Sequence, residues 1–239
     1  MAGQIATLLR AVRSNLKEPI PVFWTDQELL TYMNAGAQDL WRAITDLYEH
    51  HFSRVVETPF IEANTSTVSG VPTDCYKVVL IEPRVIGAAS VNPSLIFKPM
   101  DWTDPRFQNA RAGRAHASRD GIIYYTLFGP GAPEEAPQIR IGPQLSDAVL
   151  LSLTYNYTLP WFDETDTNPI PGMADHALIA WTTAYARAKE REDGAPDMVW
   201  LNIYGTEKVN LIKQLPPRQV QEPDMVYGMF EGWGPGDWD

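Results

Sequence analysis

The chain reads as an α+β protein in which N- and C-terminal helix pairs form a four-helix bundle, with an inserted antiparallel β region and an extended C-terminal arm. Three observations predict this class. Near both ends, apolar residues recur at spacings of three and four, the signature of a helix with one buried stripe. Between those ends lie short segments rich in Val, Ile, Tyr and Phe, separated by Gly, Pro, Asn and Asp. A helix with a single apolar stripe must bury it against another element, so the terminal helices are expected to meet. The division that follows is 1–53 and 169–216 for the bundle, 54–168 for the β region and 217–239 for the arm.

The first helix spans about 2–17, where Ile5, Leu8, Leu9, Val12 and Leu16 fall on one face, and Pro19 and Pro21 end it. Thr25-Asp26-Gln27-Glu28 then has the form of a capping box, in which Thr25 and Glu28 each satisfy the other's free backbone N–H. Behind it Leu29, Leu30, Met33, Ala37, Leu40, Trp41 and Ile44 hold the helical period to about His50, with Asn34, Gln38 and Arg42 on the polar face. The β region comprises 54–62, 75–81, 84–91, 95–98, 122–128, 138–141 and 149–158. In the last of these, Leu151, Leu153, Tyr155 and Tyr157 alternate with Ser152, Thr154 and Asn156, which predicts one buried and one wet face. Segment 101–120 reads as a long loop with a short helical piece. A third helix runs through the alanine-rich 173–192, and Gly194 and Pro196 mark the break before a fourth that stops at Pro216-Pro217. Leu30, Leu40, Trp41, Ile44, Trp181 and Leu211 are the expected bundle core.

Composition bounds the function. The chain has 239 residues, 44% hydrophobic and 21% charged, which suits a globular protein with a proper core. Nineteen Lys and Arg against 30 Asp and Glu leave a net charge of −11, which excludes a bulk electrostatic grip on phosphate backbones. Cys75 is the single cysteine, so there is no internal disulfide framework and no cysteine-based zinc site. The absence of a long apolar run or a signal-like start predicts a soluble, cytoplasmic chain without a membrane partner.

No catalytic, cofactor-binding or metal-ligating set emerges. His50, His51, His116 and His176 lack metal-ligand spacing, and the acidic stretch Asp163, Glu164 and Asp166 lacks the glycine and closing glutamate of a calcium loop. Glu57, Glu62 and Glu82 with Trp102 and Trp161 sketch a sugar site, but acids on a two-sided sheet fit its wet face better. Arg106, Arg111, Arg114 and Arg119 make the one basic stretch of an acidic chain, a candidate contact with a neighbouring subunit or with DNA. Trp233 and Trp238 lie in a Gly- and Pro-rich tail that offers them no core, a setting in which tryptophan anchors in a partner's pocket.

Four stretches then carry a resemblance: residues 24–35 (WTDQELLTYMNA), 70–76 (GVPTDCY), 153–160 (LTYNYTLP) and Ile170-Pro171 opening an alanine-rich helix. In this order and spacing the chain, from about Gln4 to Leu215, resembles the head-to-tail adaptor (connector) proteins of tailed bacteriophages. The resemblance implies a structural protein without catalysis or cofactor. Its copies would form a dodecameric ring beneath the portal protein, extending the DNA channel toward a tail, nozzle or stopper protein on the distal side. The C-terminal arm, with Met229, Phe230, Trp233 and Trp238, would dock on the portal, and DNA would pass without sequence-specific binding. The protein would be made in the host cytoplasm and reside in the neck of the virion. The second reading is a carbohydrate-active or carbohydrate-binding phage tail protein.

Overall fold

The computed structural model describes residues 4–48, 50–84, 95–112, 121–129, 135–170, 174–191 and 194–215. Helices α1 (Ile5–Leu16) and α2 (Asp26–Leu47) come first. Strands β1 (Ser53–Val56), β2 (Phe60–Ile61), β3 (Thr67–Ser69), β4 (Cys75–Pro83) and β5 (Ile96–Pro99) follow. After α3 (Pro105–Arg111) come β6 (Ile122–Phe128), β7 (Gln138–Ile141) and β8 (Val149–Tyr157), and the last helices are α4 (Asp175–Ala188) and α5 (Met198–Gln214).

This corrects the expected fold class. The described residues hold five helices and an eight-stranded curled sheet of mixed direction, in place of a four-helix bundle with an antiparallel insert. The sheet runs β1-β8-β2-β3-β7-β6-β5, with β4 also paired to β8. β5 and β6 are parallel, Ile96 opposite Ile122 and Pro99 opposite Tyr125, while the other pairs are antiparallel. Parallel neighbours cannot be joined by a tight turn, and α3 lies between β5 and β6 in the chain. The expected strand over 54–62 is two strands, because Pro59 supplies no N–H to a ladder. The expected strand over 84–91 lies, beyond Arg84, outside the described residues, as does the arm over 217–239.

Helix α4 is the centre of the helical layer. It packs on α1, α2 and α5, whereas α1 and α2 touch each other little. Hence α4 is buried on several sides: Ala177, Leu178, Ala180, Thr182, Thr183, Ala184 and Ala186 are all inside. Small side chains let three neighbours approach, and the two threonine hydroxyls donate back to Leu178 and Ile179 carbonyls. Thr25 caps α2 as expected, accepting the Glu28 N–H at 3.1 Å. The Glu28 carboxylate, however, pairs with Lys189 Nζ at 2.8 Å and accepts the Tyr32 hydroxyl at 3.1 Å.

The helices and the sheet have separate apolar cores, one around Leu29, Met33, Leu40 and Leu178, the other around Ile61, Ile123, Ile139 and Leu151. Helix α2 joins them. Trp41 meets Tyr76 of β4 edge to face at 4.9 Å. Asn34, fully buried, donates to and accepts from the Phe162 backbone at 3.0 Å, and Gln38 one turn later donates to the Leu159 carbonyl at 2.7 Å. The chain leaving β8 is thereby fastened along α2, and Asn156 at the end of that strand's supposed wet face is buried completely.

Candidate functional site

Three surface features stand out. The first surrounds α3. Asp104 caps the helix, accepting the Arg106 N–H at 2.8 Å, and its carboxylate also holds the Arg106 guanidinium at 2.8 and 3.1 Å. Those Arg106 contacts keep the Asp104 carboxyl below its usual range. Phe107 and Ala110 are buried and seat α3 on the sheet, where a Cβ on Gly142 would stand 3.1 Å from Ala110 Cβ, so glycine permits the close approach. With α3 so placed, the Arg111 guanidinium lies over the Trp102 ring, 4.6 Å from its centre. Arg140 of β7 approaches the same ring at 5.6 Å and the Phe128 ring at 5.0 Å. Of the four arginines singled out from sequence, Arg106 is thus spent on Asp104 and Arg111 is stacked on tryptophan, while Arg114 and Arg119 lie outside the described residues. Arg140 went unnoticed because it sits in a strand far along the chain from Trp102.

The second feature is the α1–α2 connection. Buried Arg13 reaches Asp26 Oδ1 at 2.5 Å, the Trp24 carbonyl at 3.0 Å and Glu18 at 3.9 Å. Glu18 Oε1 in turn accepts the N–H groups of Val22, Phe23 and Trp24 at 2.5, 2.7 and 3.3 Å. Burial pushes this carboxyl upward, but the three N–H groups and Arg13 outweigh it and hold its pKa down. The loop so fixed carries Ile20, Val22 and Phe23 at 70, 85 and 47% exposure. The third feature is α5, which buries Tyr204 and Leu211 but leaves Met198, Val199, Ile203 and Val209 open to solvent. Neither surface was foreseen, since an exposed apolar residue looks the same in sequence as a core one.

The other residues marked from sequence fall as follows. Leu30, Leu40, Trp41, Ile44 and Leu211 are in the helical core, with Trp181 partly buried against it. Trp41 lies at the junction with the sheet, so its partners extend beyond the helices. Asp39 on α2 binds α5 directly: Lys208 Nζ donates to it at 2.6 Å, and the Tyr204 hydroxyl donates to the same oxygen. Glu57 pairs with Arg84 at 2.7 Å. Met229, Phe230, Trp233 and Trp238 lie outside the described residues. Among the described residues no group of His, Cys, Asp and Glu is placed to hold a metal ion, and no helix is long and apolar enough to cross a membrane.

What the fold brings to its surface is contact area: a cation-aromatic cluster, a fastened apolar loop and a half-open helix. These belong to a protein that works by binding partners. Over residues 4–225 the chain matches the SU10 adaptor protein family, and it belongs to that family. It is therefore a tailed-phage adaptor protein, a structural component of the virion neck. Comparison with curated proteins gives no match.

Proposed function

We propose that copies of this chain close into a ring, dodecameric as the adaptor resemblance implies, beneath the portal, and extend the DNA channel toward a tail, nozzle or stopper protein. The observation that carries this reading is the exposed apolar face of α5, with Val199 at 67% and Val209 at 48% exposure, in a chain that belongs to an adaptor family. A helix that buries so little of itself within its own chain is suited to side-by-side packing with a neighbour. The net charge of −11 supports a conduit role, because acidic walls repel phosphates and let DNA slide without holding it.

Residues 217–239 are the portal-docking arm in this reading, with Met229, Phe230, Trp233 and Trp238 as its anchors, while 1–53 with 169–216 and the inserted 54–168 form the body of each subunit. The test is truncation after Leu215, whose side chain is buried and must be kept. The truncated chain is expected to fold with an unchanged melting curve and to lose binding to portal in a pull-down. Retained portal binding refutes the assignment of the arm.

A further inference from the structure

The cluster at α3 remains unused by that reading. Among the described residues, several buried or half-buried cations have a carboxylate of their own: Arg13 has Asp26, Arg84 has Glu57, Arg187 has Asp197 and Lys208 has Asp39. Half-buried Arg140 and exposed Arg111 do not. Among the described residues no carboxylate pairs with either; Arg140 makes one hydrogen bond, to Gln138 Oε1 at 3.3 Å, and both otherwise rest on aromatic rings. Stacking holds a guanidinium flat and limits its rotamers while leaving its N–H edges free, the arrangement that receives a carboxylate or phosphate with little further loss of entropy. The support beneath is firm. Trp102 meets Phe128 edge to face at 4.8 Å and Phe107 at 5.4 Å, and Phe107 is fully buried.

We infer that Arg111 and Arg140, held on Trp102 and Phe128, form a preorganised cationic patch that receives carboxylates from a second copy of this chain. This rests on the ring reading above and names one of the contacts that would close the ring. Charge complementarity selects the occupant. Each copy carries 30 acidic against 19 basic residues, so a neighbouring copy offers more carboxylates than cations overall. Duplex DNA fits less well, because a chain of net charge −11 repels it as a whole. Base stacking fits no better, because the Trp102 ring is already taken up by Arg111, Arg140, Phe107 and Phe128. Head-to-tail association pairs two different patches on each subunit, and a cationic face meeting an acidic one is compatible with that arrangement.

The test compares the full-length chain with R111Q/R140Q, which removes both charges but keeps planar side chains able to stack, and with R111E/R140E. Sedimentation velocity is run with and without portal, at low and high salt, alongside circular dichroism and a gel shift on duplex DNA. The expected result is a wild-type multimer that weakens as salt rises, and folded variants that need at least about tenfold more protein to associate. Folded variants that associate like the wild type overturn the inference and leave the ring reading standing. A wild type that forms no multimer even with portal overturns both. A wild-type gel shift lost in the variants, with association intact, assigns the patch to DNA and also overturns it. If neither variant folds, the wild-type salt titration decides, since a multimer indifferent to salt is incompatible with this contact.

Discussion

Gly36 sits in the middle of α2 where that helix crosses α4, and replacing it with alanine sets two effects of opposite sign against each other. An added Cβ would lie 2.7 Å from Trp181 Cδ1, 2.8 Å from Cγ and 3.2 Å from Cβ. These atoms are at the root of the indole, and the ring meets Tyr185 at 4.5 Å and Tyr204 at 4.8 Å, which restricts its room to shift. Alanine in a helix interior is better than glycine by ~0.5–1 kcal/mol. Forcing a methyl group into filled space costs ~1–3 kcal/mol, and contacts this short on restricted ring atoms place the cost at the upper end. The net expectation is a loss of about 2–2.5 kcal/mol, a fall in Tm of roughly 4–10 °C for a chain of this length. Thermal unfolding followed by circular dichroism measures it, with W181L and the G36A/W181L double variant completing the cycle. If the packing argument holds, most of the cost disappears in the W181L background. A G36A protein that melts higher than wild type, or loses as much in both backgrounds, refutes the argument.

Three further outcomes follow from the same geometry. Trp41→Ala, at a side chain only 1% exposed that links the helices to Tyr76 of the sheet, is expected to cost ~3–5 kcal/mol in denaturant unfolding; an unchanged midpoint would place Trp41 outside the core. Asp39 is pushed upward by burial, but the hydrogen bonds from Lys208 and Tyr204 prevail and hold its carboxyl below the usual range. Its contribution to stability is therefore present above the unfolded carboxyl pKa of ~3.9 and is lost as pH falls through the lower folded value, so Asp39→Asn should flatten the acid limb of the stability profile. Cys75, pushed up to about 12 by burial and by the Asp74 carboxylate beside it, should resist thiol reagents in the native protein at about pH 8 and react only on unfolding; prompt native labelling would contradict this.

The helices were legible from sequence in proportion to how one-sided they are. α1 and α2 each bury a single stripe, and their periodicity placed them within a few residues. α4, enclosed on several sides, shows no clean polar face, so its stripe conveyed a helix but not that it is the hub of the layer. Strands long enough to alternate were found; β3, three residues long, offers too little pattern to detect. The parallel β5–β6 pair could not be read because pairing direction is not encoded in the pattern of either strand. Asn34 and Gln38 were expected on the polar face, but Asn34 is buried and Gln38 half-buried, because both fasten the segment after β8, a contact across more than a hundred residues. The same holds for the α3 surface: Arg111 was visible within a basic stretch, whereas Arg140 joins it only through the sheet.

The central claim is that this chain works as a ring on the portal, and direct imaging tests it. Full-length protein is mixed with purified portal and examined by negative-stain electron microscopy, with native mass spectrometry to count subunits. The account predicts a closed ring seated coaxially on one face of the portal, leaving an open axial channel. A chain that stays monomeric and unbound in the presence of portal, or that binds it as isolated subunits without closing, contradicts the account.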